Sequence, residues 1–119
     1  MSPEKARVFV VEDDGNWREM ILEAIKYGGH EVVAISTTLQ EALEAVGTLT
    51  ELGIQVATID GNLTREGNTG EDGKKILKAI RTHAPEVKTI GVSMNRMEGF
   101  DVDAGKENVN ELGRIVAEI

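Results

Sequence analysis

The sequence predicts an α/β domain with a doubly wound parallel sheet. Strand-like and helix-like stretches alternate along its 119 residues, and the strand-like stretches are continuous apolar runs. Such strands are buried on both faces, as in a parallel sheet covered by helices. The chain contains only two Phe, one Trp and one Tyr, so an aliphatic core is expected. Its length suits one domain, and we expect residues 1–119 to form a single unit.

The first three strands are predicted from apolar runs, and the two helices between them from capping boxes. Asn16 and Glu19 predict that a helix begins at residue 16, and Gly28 ends it. Thr38 and Glu41 predict the start of the next helix in the same way. The predicted elements of this half are strands 7–11, 31–36 and 56–60 and helices 16–27 and 38–49.

The second half of the chain is predicted to add two helices and a fourth strand. Ile76 and Ile80 recur at helical spacing, and Pro85 ends their helix. His30, beside a turn, and His83, at this helix end, are interpreted as surface residues. The predicted elements of this half are helices 73–83 and 108–119 and strand 89–94.

The composition argues against several classes of function. A net charge of −8 with scattered Lys and Arg disfavours a nucleic-acid surface, which needs a basic stripe. The absence of cysteine excludes a disulfide framework and a zinc-thiolate site. The longest apolar runs have about five residues, too few for a membrane span, and the first residues lack a signal-peptide core. We expect a cytoplasmic protein that contacts neither nucleic acid nor membrane.

Three carboxylates lie at the ends of predicted strands. Glu12 and Asp13 follow the first strand, and Asp60 closes the third. If these strands are parallel neighbours, their carboxyl ends meet in the crevice where such sheets bind ligands. Two like charges about 4 Å apart cost roughly 4 kcal/mol at an effective dielectric constant near 20. Three carboxylates together therefore call for a cation, for shifted pKa values, or for both.

Two further residues complete a pattern at the same edge of the sheet. Ser93 lies near the end of the fourth strand, and Lys106 precedes the last helix. With the acidic run Glu12-Asp13-Asp14 and with Asp60, this order resembles the receiver domains of two-component response regulators, over essentially the whole chain. The resemblance is to single-domain receivers such as chemotaxis and sporulation regulators. It implies a flavodoxin-like fold with five parallel strands in the order 2-1-3-4-5 and no output domain.

The resemblance also implies the chemistry of the acidic residues. Asp60 would be the phosphoacceptor, and Asp13 and Asp60 would bind Mg²⁺ directly. Glu12 would act mainly through bound water, and Asn62 would contribute its backbone carbonyl. Mg²⁺ suits this set because it prefers oxygen ligands and is commonly held by one or two carboxylates together with waters.

The resemblance further implies how the phosphoryl group is bound and read. Lys106 would pair with its oxygens, and the Ser93 hydroxyl would move to hydrogen-bond one of them. The donor would be a histidine kinase or a histidine phosphotransfer protein, because a carboxylate is a weak nucleophile and needs an activated donor. The output would be a change of shape passed to an unknown protein, with no substrate turned over.

The sequence departs from the receiver pattern after the fourth strand. Only residues 94–105 separate Ser93 from Lys106, too few for a full fourth helix and a fifth strand, so that helix is expected to be degenerate. Met94 stands where receivers usually have a small residue, and we expect it to hinder phosphodonors or attacking water. Asp103 occupies the nearest position to the usual switch aromatic. The loop from Asp60 to Gly73 is longer than usual.

Other interpretations of the same residues remain open. The chain could be a pseudo-receiver that acts by constitutive protein contact, or a Mg²⁺-dependent phosphatase or phosphotransferase with an aspartate nucleophile. Asp14 is interpreted as a helix-capping residue, and Trp17 as a packing residue that could report metal binding. Residues 60–71 faintly resemble a calcium-binding EF-hand loop.

Overall fold

The computed structural model describes residues 5–60, 71–94 and 96–119. Strands and helices alternate through these residues, as the sequence predicts. The strands are β1 Arg7–Val11, β2 Glu31–Ser36, β3 Val56–Ile59, β4 Lys88–Gly91 and β5 Val102–Asp103. The helices are α1 Gly15–Tyr27, α2 Leu39–Val46, α3 Glu71–His83 and α4 Leu112–Glu118, with a 3₁₀ helix at Lys106–Glu111 before the last of them.

The strands form one parallel sheet in the order β2-β1-β3-β4-β5, which confirms the predicted doubly wound fold. Phe9 and Ile59 point into the core on the side of α2 and α3, whereas Val8 and Val10 point into the core on the side of α1 and α4. The strands are therefore apolar on both faces because each face is covered by two helices. No helix in the described residues is long and apolar enough to cross a membrane.

The first helix begins at Gly15, and Asp14 caps it. The Asp14 backbone is extended, and its Oδ1 accepts a hydrogen bond from the Trp17 N–H at 2.9 Å. The prediction that Asn16 is the cap is wrong, because Asn16 already lies in the first turn. The second predicted cap is confirmed, since the Thr38 hydroxyl accepts from the Glu41 N–H at 3.1 Å.

Replacement of Asp14 with alanine should lower the free energy of unfolding by about 1 kcal/mol, because the cap satisfies one of the free N–H groups of the first helical turn. Asn16→Ala is the matched control and should change it by less than about 0.5 kcal/mol. Urea unfolding of the two variants checks the difference. Equal losses, or a larger loss for Asn16→Ala, would contradict the assignment of the cap.

His30 is buried, with 4% of its surface exposed, so the prediction that it lies at the surface is wrong. Its Nδ1 accepts a hydrogen bond from the Ala6 N–H at 3.0 Å, and its Nε2 lies 2.9 Å from the Gly113 carbonyl oxygen. Because the Ala6 N–H can only donate, Nδ1 is unprotonated and Nε2 carries the hydrogen that it donates to Gly113. The ring therefore joins the start of β1 to α4. His83 is exposed, as predicted.

Helices α1 and α4 touch through two glycines. A Cβ built on Gly113 would lie 2.8 Å from the Ala24 carbonyl oxygen and 3.0 Å from the Gly28 Cα. A Cβ on Gly28 would lie 2.7 Å from the Gly113 Cα. Side chains at these positions would hold the backbones apart, so the glycines set the distance between the helices.

The connection between β4 and β5 contains no helix among its described residues, as expected for a degenerate fourth helix. Met97 is buried instead and packs over Gly91, where a Cβ would lie 2.9 Å from the Met97 sulfur. Strand β4 ends at Gly91, earlier than the predicted end at Met94. The single methionine thus covers the end of the strand.

Hydrogen bonds fasten this connection to the neighbouring elements. Asp101 Oδ2 accepts from the Thr89 N–H at 2.8 Å and from the Thr89 hydroxyl at 3.1 Å. The Arg81 guanidinium donates to the Gly99 carbonyl at 2.6 Å. Asp103, at the position of the usual switch aromatic, accepts from the Met97 N–H at 3.1 Å. The short connection is therefore held at several points.

Candidate functional site

The central strands bring the acidic residues to one edge of the sheet. The Asp60 N–H donates to the Val11 carbonyl at 3.0 Å, and the Glu12 N–H donates to the Ser36 carbonyl at 3.1 Å. Both residues thus continue the ladder of hydrogen bonds beyond the strand ends. The side chains of Glu12 and Asp60 are buried, whereas Asp13, which follows Glu12, is exposed.

The three carboxylates form one cluster, which we call the acidic pocket. One oxygen from each of Glu12, Asp13 and Asp60 lies within 4.8 Å of the others. Carboxylate oxygens at this spacing are the donor set that Mg²⁺ accepts. Glu12 Oε1 is buried and accepts no hydrogen bond from any described residue. The side chains in the pocket therefore fit a hard divalent cation, in donor type and in spare acceptor capacity.

Lys106 reaches the acidic pocket from the other end of the chain. Its Nζ lies 3.6 Å from Glu12 Oε1 and 3.8 Å from Asp60 Oδ2, and only 8% of the residue is exposed. Both distances exceed the usual length of an N–H···O hydrogen bond. The ammonium thus balances charge in the pocket without a short bond to either carboxylate.

Burial, together with a hydrogen bond to Asp60 and the charge of Asp60, raises the pKa of Glu12 from 4.5 to about 8, although Lys106 opposes the shift. The Glu12 carboxyl therefore keeps its proton to a higher pH than an ordinary glutamate does. Glu12 lies deeper than Asp13, and its action through bound water, which the resemblance implies, stays a prediction. The sequence signal for its burial is its position directly after the apolar run Val8–Val11.

Arg18 was not predicted as a site residue, yet it holds the loop that carries Asp13. Its Nη1 lies 3.3 Å from the Glu12 carbonyl oxygen and 3.4 Å from that of Asp13. The Asp14 N–H donates to Glu12 Oε2 at 3.2 Å. The only signal in the sequence is an arginine in the first turn of the helix that follows the acidic run.

Ser93 and Lys106 are joined through the backbone, because the Lys106 N–H donates to the Ser93 carbonyl at 3.0 Å. Ser93 is buried beside a pocket of about 240 Å³ that Met94 and Gly105 also line. Met94 is 73% exposed at the rim of this pocket. The structure thus brings Ser93 and Lys106 to the same edge of the sheet as Asp60.

Asn62 and most of the suggested calcium loop lie outside the described residues. The proposed backbone ligand at Asn62 therefore stays a prediction. Glu71, the last residue of the suggested calcium loop, begins α3, and its Oε1 lies 3.9 Å from the Lys74 Nζ. It is exposed at a helix start.

No protein-family model matches the chain, and no curated protein sequence matches it. Solved structures, in contrast, do match this chain. A CheY-like receiver domain from Methanospirillum hungatei JF-1 aligns with a TM-score of 0.75 and 20% identity over 95% of this chain and 91% of its own. The response regulator domain of Thermotoga maritima CheB gives a TM-score of 0.61 and 28% identity over 81% of this chain and 66% of its own.

A third similar structure is the CheX-CheY complex with BeF₃ and Mg²⁺ from Borrelia burgdorferi, with a TM-score of 0.66 and 17% identity over 78% of this chain and 65% of that one. These alignments cover most of the chain, and the parallel five-stranded sheet has the order that the resemblance implies. The chain therefore has the CheY-like fold of response-regulator receiver domains.

Proposed function

We propose that this chain accepts a phosphoryl group on Asp60 from a phosphohistidine donor, with Mg²⁺ in the acidic pocket, and signals by a change of shape. One observation supports this most: a buried carboxylate at a strand end has a lysine ammonium 3.8 Å away and two further carboxylates beside it. Receiver chemistry needs a nucleophile, a metal site and a cation that can bind phosphoryl oxygens. The cluster offers all three.

Each residue of the cluster has a role in the transfer. An Asp60 oxygen attacks phosphorus, the bond from phosphorus to the imidazole nitrogen breaks, and its electron pair returns to the imidazole. Asp13 and Asp60 would bind the cation directly, and Glu12 would act mainly through bound water. When bound, Mg²⁺ supplies positive charge that offsets the charge on the transferring group.

Lys106 and Ser93 would bind the phosphoryl group once it is on Asp60. The Lys106 ammonium needs only a small displacement from its place 3.8 Å from Asp60 Oδ2 to reach phosphoryl oxygens. A lysine paired with such an oxygen makes a charge-assisted hydrogen bond, which is among the stronger kinds. The Ser93 hydroxyl would supply a further bond and carry the change into the β4–β5 connection.

Incubation with acetyl phosphate and Mg²⁺, followed by intact mass measurement, tests the function. We expect an adduct of one phosphoryl group on the wild-type protein, its loss in Asp60→Asn, and its retention in Glu44→Gln, which removes an exposed carboxylate from α2. Chelation of Mg²⁺ should also prevent it. An adduct that persists in Asp60→Asn would contradict the assignment of the phosphoacceptor.

The same experiment separates the alternatives. A wild-type protein that acquires no adduct from acetyl phosphate or from phosphohistidine donors would favour a pseudo-receiver that acts by constitutive contact. Continuous release of phosphate from many equivalents of donor would favour a phosphatase. We propose that the partners are a histidine kinase or phosphotransfer protein and a downstream protein, all in the cytoplasm, and that no substrate is turned over.

A further inference from the structure

Trp17, the only tryptophan of the chain, lies against Lys106. The Lys106 Nζ is 5.3 Å from the centroid of the indole ring. This distance falls within the roughly 6 Å at which a cation is attracted to the face of an aromatic ring, and indole is the strongest aromatic partner. No local pattern in the sequence indicates this contact, because the two residues lie near opposite ends of the chain.

The ring is held in place by the start of α1. The backbone N–H of Trp17 donates to the capping residue Asp14, which fixes the residue in the first helical turn, and the half-buried ring packs against the core between the sheet and helices α1 and α4. A ring fixed in this way offers the ammonium a rigid surface, at little cost in side-chain entropy.

Among the described residues, the Lys106 ammonium contacts Glu12 Oε1 at 3.6 Å, Asp60 Oδ2 at 3.8 Å and the indole ring. A buried ammonium loses its hydration, and the described neighbours must compensate for that loss. The carboxylates attract the ammonium by charge but at distances too long for good hydrogen bonds, and the ring adds a cation–π attraction from another direction.

We propose that Trp17 is a positioning residue for phosphoryl transfer, whose ring holds the Lys106 ammonium beside Asp60 until phosphoryl oxygens take it over. This inference rests on the proposed function. An uncharged ring can hold an ammonium without the strong competition that a third close carboxylate would offer to the phosphoryl group. The ammonium is then in place before the donor arrives, which lowers the cost of organising the transition state.

The rate of adduct formation with acetyl phosphate and Mg²⁺ tests the role. We expect Trp17→Leu to react about tenfold more slowly, as loss of a partly desolvated cation–π contact predicts. Trp17→Phe, which keeps a ring face, should recover much of the rate. In a Lys106→Met background, Trp17→Leu should cause no further loss, since the ring then has no ammonium to hold.

A purely structural role for Trp17 would give a different pattern. Trp17→Leu would then slow the reaction to the same extent with or without Lys106, and that result would overturn the proposal. An unchanged rate in Trp17→Leu would overturn it while leaving the proposed function intact. A wild-type protein that forms no adduct would overturn the proposed function, and with it the role of Trp17. Circular dichroism of each variant confirms that it is folded.

Nuclear magnetic resonance examines the contact without phosphorylation. The ε-methylene protons of Lys106 should be shifted upfield by the indole ring in the wild-type protein and return to ordinary lysine values in Trp17→Leu. On addition of Mg²⁺ and beryllium fluoride as the probe, these protons should lose part of the shift as the ammonium leaves the ring. An ordinary shift in the wild-type protein would overturn the proposal.

Discussion

Above pH 8, the free energy of unfolding of Glu12→Gln should exceed that of the wild-type protein by a few kcal/mol. Between pH 4.5 and 8 the variant should lack the decline in stability expected of the wild type. The folded pKa of Glu12 is raised from 4.5 to about 8, chiefly by burial. Below pH 4.5 the carboxyl is protonated in the folded and the unfolded protein alike. As the pH rises toward 8, only the unfolded chain loses the proton, so stability falls, by about 1.4 kcal/mol for each unit of pKa difference.

The glutamine variant has no proton to lose and should not show this decline. Urea unfolding between pH 5 and 9 with a chelator present measures the difference between the two proteins. Glu41→Gln is a control of opposite sign, because hydrogen bonds from Thr37 lower the pKa of Glu41 and its ionised form is stabilising. Parallel curves for wild type and Glu12→Gln would contradict the prediction.

Gly113→Ala should lower the free energy of unfolding by about 2–3 kcal/mol, the range expected when an added methyl group forces packed elements apart. Its Cβ would meet backbone atoms of Ala24 and Gly28 at 2.8 and 3.0 Å, and a backbone cannot swing aside as a side-chain tip can. Separation of the helices would also lengthen the hydrogen bond between His30 and the Gly113 carbonyl, now 2.9 Å.

Gly47→Ala is the matched control for this prediction. Gly47 has an ordinary helical backbone, and a Cβ there would approach only the Glu44 carbonyl oxygen, at 3.7 Å. It should be neutral or slightly stabilising. Gly28→Ala should resemble Gly113→Ala, and the double variant should lose less than the sum because one separation of the helices relieves both contacts. Thermal unfolding of the three single variants and the double variant, each compared with the wild-type protein, checks the pattern. Equal losses of stability at positions 47 and 113 would contradict it.

Much of the fold could be predicted because strands buried on both faces leave an unmistakable apolar pattern. The run at residues 7–11 has that pattern, and it forms the inner strand β1, which lies between β2 and β3. The residue that caps a helix is less evident from the sequence than the position of a strand. Asp14 and Asn16 are both good capping residues, and the choice between them depends on where the chain leaves the sheet. His30 looked like a surface residue because its two partners, Ala6 and Gly113, come from other elements.

The acidic side of the candidate site could be predicted because each carboxylate directly follows a strand. The position of a strand end defines where such a residue lies, as for Glu12 and Asp60. Lys106 had a much weaker signal, since a lysine before a helix is usually exposed. Its place beside Asp60 depends on the backbone bond to Ser93, and its contact with Trp17 depends on side-chain directions that no local pattern encodes.

The docking of the C-terminal segment, residues 106–119, also has a consequence for the acidic pocket during partial unfolding. That segment is attached through the Gly113 carbonyl to His30 and through the Lys106 N–H to Ser93. Proteins open locally in cooperative units, and an opening that releases this segment removes Lys106 from the carboxylates. Lys106 is the only lysine beside the carboxylates among the described residues, so the pocket gains this charge when the C-terminal segment docks.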